Sequence, residues 1–439
     1  MNASDSFPVI FPSSSPVFDR MQPHPSGNPP LVYAWLTMKR EMGELELIER
    51  IRSEWGAAGR GAGGAAGCDS RSLARCVALG IGDDCAILRP PRGHELLVTT
   101  DFTLEGRHFR RDLHPPESAG HRTLARGLSD LAAMGARPLA AFLSLALPGE
   151  MLATRAGRLW VERFFTGLRT LADQYQVPLA GGDTAESPCE LVLADIVLIG
   201  SAPAGRALRR SGARAGDALY VTGELGGAAA ELAEMDRRAA TNPAHPYKDL
   251  GAPSIPRSLR NGWEPTSLSS GRINQPNLRP PRMPASNHLT AHPQMFPQPR
   301  LAVGLALLRR RLATACIDLS DGLSTDLAHL CRESGVGAQI SSAALPIHPL
   351  AQQARAAQAG RAGAAPTRAL ELALHGGEDY ELLFAAPPSV RLPRSLAGVR
   401  ITRIGSLVRG HGISLLDSAG RRTPLQPGGW EHFTGKHED

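Results

Sequence analysis

Apolar residues set two rhythms along this chain. Runs that alternate with polar residues, or stay apolar between Gly and Pro, predict strands: "ELLVTTDF" (95–102), "PLAAFLSLAL" (138–147), "ELVLADIVLIGSA" (190–202), "DALYVTGEL" (217–225), "YELLFAA" (380–386) and "ITRIGSLV" (401–408). Spacings of three and four predict helices over "GELELIERI" (43–51), "PESAGHRTLARGLSDLAAMGA" (116–136), "TRAGRLWVERFFTGLRTLADQY" (154–175) and "PRLAVGLALLRRRLA" (299–313). "TACIDLSDGLSTDLAHLCRESG" (314–335) reads as a strand running into a helix, and "LLDSAGRRTPL" (415–425) as a hairpin. Strands and helices alternate in two halves, which predicts an α/β or α+β architecture.

The rhythm fails twice. Residues 1–37 and 237–291 are rich in Pro and Ser, and the second stretch also in Asn and Arg. Such segments bury too little apolar surface to offset chain entropy. We expect a disordered extension, which a start at Met38 or Met42 would explain, and a disordered insertion within a loop.

Composition narrows the possibilities. The chain has 439 residues, a net charge of +6 and 42% hydrophobic residues, enough for a sizeable core. Lys39, Lys248 and Lys436 are its only lysines, and the arginines are scattered rather than striped with aromatics. Nucleic-acid binding is therefore not expected. No run approaches the ~20 apolar residues that span a bilayer, and no secretory leader is evident. The six cysteines form no C-x-x-C pair, which points to reduced thiols in a cytoplasm. "GRGAGG" (59–64) matches G-x-G-x-x-G but follows a helix pattern, so it reads as linker.

Acidic residues supply the candidate chemistry. They recur beside Gly, Ser and Thr at strand ends: Asp83 and Asp84, Asp101 after Thr99 and Thr100, Asp130, Asp183, then Asp318, Asp321 and Asp326. Singly, each is an ordinary helix cap or turn residue. Together they are hard oxygen ligands suited to Mg2+ bound with phosphate oxygens. Magnesium also suits a chain without a phosphate-binding lysine in its patterned segments. "HGGEDYELLF" (375–384) poses a separate question. Glu378, Asp379 and Glu381 stand at the mouth of a buried strand, where like charges repel and lose hydration. Some positive charge must offset them.

The motifs "GIGDDCAIL", "TTDFTLEGRHF", "LSDLAAMGARP", "LAGGDT", "LRRSGARAGDALYVTG", "IDLSDGLSTDL", "GGEDYELLF" and "GGWEHF" occur in this order. The ordered set resembles the thiamine-monophosphate kinases, of the aminoimidazole-ribonucleotide synthetase superfamily, over residues 43–236 and 292–433. The resemblance implies transfer of the γ-phosphoryl group of ATP to thiamine monophosphate. It implies a two-domain α/β fold: an N-terminal ATP- and Mg2+-binding domain over 38–202 that forms a homodimer, and a C-terminal domain over 203–433 carrying the insertion, with 434–439 as a tail. It implies magnesium positions at Asp84, Thr99, Thr100, Asp101, Asp130, Asp183, Asp318 and Asp321. Phe165, Gly182, Asp183, Arg210 and Ser320 match positions that touch ATP; Phe165 stands where some relatives have Tyr. His108, Glu378 and Trp430 match positions that bind thiamine monophosphate. The substrate's cationic thiazolium ring would then be the charge that Glu378 faces. No residue is assigned as a base. Two other readings are a selenophosphate synthetase, which Cys68 in "GGAAGCDS" faintly echoes without the expected lysine, and a binding protein that performs no chemistry.

Overall fold

In the computed structural model the described residues are 43–55, 76–81, 83–241, 292–354 and 368–430. The expected extension, the "GRGAGG" segment, Cys68, the tail and residues 242–291 of the expected insertion lie outside them.

The first half is built on one four-stranded sheet. Helix α1 (Glu44–Trp55) and the short strands β1 (Val77–Leu79) and β2 (Ile87–Leu88) lead into β3 (His94–Leu104) and α2 (Pro116–Ala133). Then come β4 (Arg137–Leu147), α3 (Gly149–Ala153), α4 (Arg155–Tyr175), β5 (Leu179–Glu186) and β6 (Leu193–Pro203). The sheet order is β3-β6-β4-β5, with only β4 and β5 parallel. Helices α2 and α4 cover one face, and glycine lets them approach closely. A Cβ on Gly120 would stand 1.9 Å from the Phe164 carbonyl oxygen, and one on Gly167 1.9 Å from that of Glu117. Phe164, Leu168 and Leu171 are completely buried in this layer, each contributing about 2–3 kcal/mol of apolar burial.

The second half is built on a larger sheet. Its elements are β7 (Ala218–Thr222), α5 (Gly227–Thr241), α6 (Leu301–Arg309), β8 (Ala315–Asp318), α7 (Leu323–Ser334) and β9 (Gly337–Ser341). They continue with α8 (Pro349–Gln353), α9 (Arg368–His375), β10 (Leu382–Ala386), β11 (Ser395–Leu396), β12 (Val399–Val408), β13 (Ile413–Leu416) and β14 (Arg422–Leu425). The eight strands run β14-β13-β9-β12-β7-β10-β8, with β11 paired to β12. One hydrophobic core joins the halves: α2 residues such as Leu128 and Leu131 share it with Leu307 of α6 and Phe384 of β10.

Most expected elements form where the patterns place them, including the β13–β14 hairpin. Three differ. The strand expected from Tyr380 begins only at Leu382, because Glu378 and Tyr380 have φ of +67° and +49°, outside the extended region. Helix α5 runs through Thr241, so residues 237–241 are helical rather than part of a loop. "LAGGDTAE" is a strand, β5, despite its two glycines. The expectation of reduced thiols also fails at one position. Cys76 is disulfide-bonded, while Cys85, Cys189, Cys316 and Cys331 are free. No local spacing announces such a bond, since pairing depends on distances the fold sets.

Candidate active site

Helix α2 is the spine of the site. Residues four apart share a helical face, so Arg122, Arg126 and Asp130 form one row, with Ser129 beside it. That row faces two groups of acidic side chains.

The first group gathers at the Asp130 end. Thr99 and Asp101 point inward from β3, and Thr99 donates a short hydrogen bond to Asp130. Asp318 ends β8, wholly surrounded by protein, and accepts from the Ser129 hydroxyl at 2.8 Å. Burial raises the Asp101 carboxyl to about 7, helped by the negative charge of Asp130 and opposed by Arg126. Asp318 is also raised to about 7, by burial and then by Asp130, with Asp101 adding to the push. These carboxylates sense one another and lack enough positive charge. Among the described residues no three His, Cys, Asp or Glu side chains converge tightly enough to form a metal cage alone. The oxygen donors and their surplus negative charge nonetheless fit a divalent cation that keeps water and phosphate oxygens in its shell.

Asp326 shapes the loop after β8. Its Oδ2 accepts from the backbone N–H groups of Ser320, Asp321 and Gly322, each at 3.1 Å. Burial, then Asp318 and Asp321, push its carboxyl up to about 8. The loop so held links several expected positions. Ser320 accepts the Glu378 N–H through its carbonyl at 2.8 Å, and Asp321 accepts the Trp430 N–H at 3.0 Å. Trp430 itself is 50% exposed. Arg210 is near enough to Asp318 for its charge to lower that carboxyl.

The second acidic group is "EDYE", and its countercharge comes from the chain. The expectation that substrate supplies the positive charge facing Glu378 therefore needs correction. Arg122 Nη2 donates to Glu378 Oε1 at 2.6 Å, Gln294 Nε2 donates to Oε2 at 3.0 Å, and Arg126 lies 3.6 Å away. Burial alone would raise this carboxyl, but the two arginines and the hydrogen bonds hold it below the usual range. Asp379 accepts from the N–H groups of Gly226 and Ala228 at the start of α5, at 2.7 and 3.3 Å. Glu381 accepts from Arg300 Nε at 2.7 Å and from the Thr222 hydroxyl at 2.5 Å. Arg122 Nη2 also donates to the His108 carbonyl at 2.9 Å. One arginine thus brings His108 and Glu378 together.

Other expected positions lie apart. Phe165, Gly182 and Asp183 line a pocket with Ile48 and Ile51 of α1. That pocket lies on β5, whereas Asp101 lies on β3, three strand spacings away across the sheet, about 14 Å at ~4.8 Å each. Thr100 faces the opposite side of β3 from Thr99 and Asp101 and donates to Asp195 at 2.7 Å. Asp84 is exposed in a bend, its N–H bonded to the Asp83 carboxylate at 2.9 Å. Sequence reasoning missed Arg122, Arg126, Gln294, Arg300 and Tyr380. The four-residue spacing of Arg122, Arg126 and Asp130 was a visible signal for the first two.

Two α/β halves around an aspartate-lined spine place the chain in a known class. Residues 82–202 match the family described as AIR synthase related protein, N-terminal domain. Within that class the chain belongs to the thiamine-monophosphate kinase family. It is 36% identical over 368 residues to thiamine-monophosphate kinase of Escherichia coli K12, covering 83% of this chain and 94% of the relative. It is 37% identical over 335 residues to that of Salmonella typhimurium, covering 76% and 83%. The crystal structure of thiamine-monophosphate kinase from Stenotrophomonas maltophilia superposes with a TM-score of 0.60 at 32% identity, covering 87% of this chain and 98% of the other. The structure described as AaThiL complexed with AMPPCP and TMP gives 0.56 at 25% identity, covering 90% and 98%.

Proposed function

We propose that this protein phosphorylates thiamine monophosphate to thiamine diphosphate with ATP, by direct in-line transfer in the cytoplasm, using Mg2+ and acting as a homodimer. The observation that carries the chemistry is the Asp101–Asp130–Asp318 group, assembled from β3, α2 and β8, in which burial and the charge of Asp130 raise the carboxyls of Asp101 and Asp318. Magnesium bound there would neutralise phosphate oxygens and let two anionic molecules approach. Thr99, Asp101, Asp130, Asp318 and Asp321 would hold it, whereas Asp84, Thr100 and Asp183 lie apart from this group and would serve a separate ion.

The remaining roles belong to side chains. Phe165, Gly182 and Asp183 line the pocket assigned to ATP, with Arg210 and Ser320 on the Asp318 side. Phe165 carries no hydroxyl, so its contribution there is an apolar ring. Trp430 offers a half-exposed indole for stacking on a cationic ring. The His108 Nδ1 accepts from the Leu104 N–H at 3.0 Å, which leaves the hydrogen on Nε2, the form that donates to an oxyanion. The acceptor phosphate oxygen is already anionic, so positioning and charge neutralisation suffice without a general base.

The homodimer rests on β3. Leu96, Val98 and Phe102 point outward from it and are 46%, 66% and 62% exposed, an apolar stripe that a second copy would cover. Dimerisation there also offers a way to complete a site whose ATP and metal positions stand at opposite sheet edges. Among the described residues no helix is long and apolar enough to cross a membrane.

The test is to incubate purified protein with ATP, thiamine monophosphate and Mg2+ and to quantify ADP and thiamine diphosphate. Equal yields that vanish with EDTA support the proposal. Tight binding of both ligands without product selects the binding-protein reading.

A further inference from the structure

Arg126 stands where the two acidic groups meet, and its bonding is incomplete. It follows Arg122 by one turn of α2 and precedes Asp130 by one turn. Its Nη1 donates to the Tyr380 hydroxyl at 3.0 Å. The same nitrogen lies 3.6 Å from Glu378 Oε1, and Nη2 lies 3.5 Å from Asp101 Oδ1. Charge-assisted N–H···O bonds close to about 2.7–2.9 Å, so both carboxylates are neighbours rather than seated partners. The Arg126 Nε is buried and has no hydrogen-bond partner. Arg122 offers the contrast. Its Nε is also unpartnered, but both its terminal nitrogens are engaged and its side chain is fully buried. Arg126 retains 16% side-chain exposure.

A guanidinium with Nε and Nη2 both short of a seated partner presents the edge that binds an oxyanion through two parallel bonds. No lysine lies among the described residues. Position selects which oxyanion. Arg126 neighbours Glu378, which Arg122 ties to His108, whereas the pocket assigned to ATP lies at the far edge of the first sheet. We propose that Arg126 binds the phosphate of the acceptor substrate and thereby distinguishes the phosphorylated substrate from its free alcohol. The inference rests on the function proposed above and adds a recognition element to it. The bound phosphate would sit between the Asp101 group and Glu378, with Tyr380 fixing the guanidinium plane.

Binding measurements without nucleotide test this apart from turnover. Calorimetric titration with thiamine monophosphate and with thiamine is compared for the unmodified protein, Arg126→Gln and Arg126→Lys. The unmodified protein should prefer the phosphate ester. Arg126→Gln should raise the Kd for thiamine monophosphate roughly ten- to hundred-fold, the scale of hydrogen bonds to charged groups. The Kd for thiamine should move by less than about two-fold. Arg126→Lys keeps the charge but loses the fork, so an intermediate loss of about three- to ten-fold is expected. It serves as the deciding variant if Arg126→Gln does not fold. A folded variant of either kind that keeps the full preference overturns the proposal. If the unmodified protein binds neither compound, the functional reading fails rather than the role of Arg126.

Discussion

Two groups of acidic residues face the same helix, α2, and are treated in opposite ways. Glu378, Asp379 and Glu381 are neutralised from within by Arg122, by the amides that open α5 and by Arg300. Asp101, Asp130 and Asp318 are left to repel one another, with Arg126 at 3.5 Å from Asp101 as partial relief. Asp379 is itself raised to about 7, by burial and, to a lesser extent than its N–H partners oppose the shift, by Glu381. In the aspartate group the charge of Asp130 comes second only to burial in raising Asp101 and Asp318. A satisfied acidic group is architecture. An unsatisfied one stores a demand for positive charge that only a ligand can meet.

Breaking the satisfied group should therefore damage stability first. Arg122→Met leaves Glu378 without its main countercharge and should cost about 3–5 kcal/mol, read from a denaturant titration. Unchanged stability would mean that Glu378 is neutralised some other way. Breaking the unsatisfied group should do the reverse. Asp130→Asn or Asp101→Asn should lower turnover roughly a hundred- to thousand-fold, as losses of preorganised electrostatic groups do. The metal-free melting temperature should hold or rise, because a repulsion has gone. A melting temperature that falls along with turnover would erase the distinction.

Glu378→Gln probes the border between the groups. The Glu378 carboxylate is bonded to Arg122 and Gln294, so loss of a charged hydrogen bond, about 1–3 kcal/mol, should appear first in the melting temperature. The KM for thiamine monophosphate should rise by a smaller factor, and that for ATP should stay unaffected. A change in melting alone would make Glu378 purely structural.

The smallest effect is a pH dependence. Asp101 and Asp318 are raised from 3.8 in the unfolded chain to about 7 in the fold. Their contribution to stability is fully present below about 4 and is lost as pH rises through about 7. Metal-free protein should melt a few degrees lower at pH 8 than at pH 5.5, and Mg2+ should narrow the gap. A gap that Mg2+ leaves unchanged would place its origin elsewhere.

Much of this was legible before the fold was seen, and the exceptions have reasons. Strand β4 showed as a continuous apolar run buried on both faces. Periodicity reported α4, β3 and β6 because each buries one regular face. It passed over β5, where Gly181 and Gly182 erase the side-chain pattern a strand would show. It began β10 two residues early because an apolar Tyr380 does not reveal a left-handed backbone. The aspartates stood out by their recurrence beside Gly, Ser and Thr. Their partners did not, since Arg122 and Glu378 are 256 residues apart, and no local rule couples positions at that range. Thr100 shows the limit of motif matching. It adjoins Thr99 and Asp101 in sequence, yet the alternation of a strand turns it to the other face.

The row of residues on α2 also works as a measuring rod. An α-helix rises 1.5 Å per residue, so Arg122, Arg126 and Asp130 mark steps of about 6 Å along one line. The first mark touches the residues assigned to the vitamin end of the acceptor, the second is proposed for its phosphate, and the third lies where metal would meet the incoming phosphoryl group. Selection by length follows from that spacing. An acceptor without its phosphate stops short of the second mark, and one already bearing a diphosphate fills the place that the incoming phosphoryl group would take. Inserting one alanine between Arg126 and Asp130 would turn the last mark by about 100° and decouple binding from transfer while every ligand residue remained in the chain.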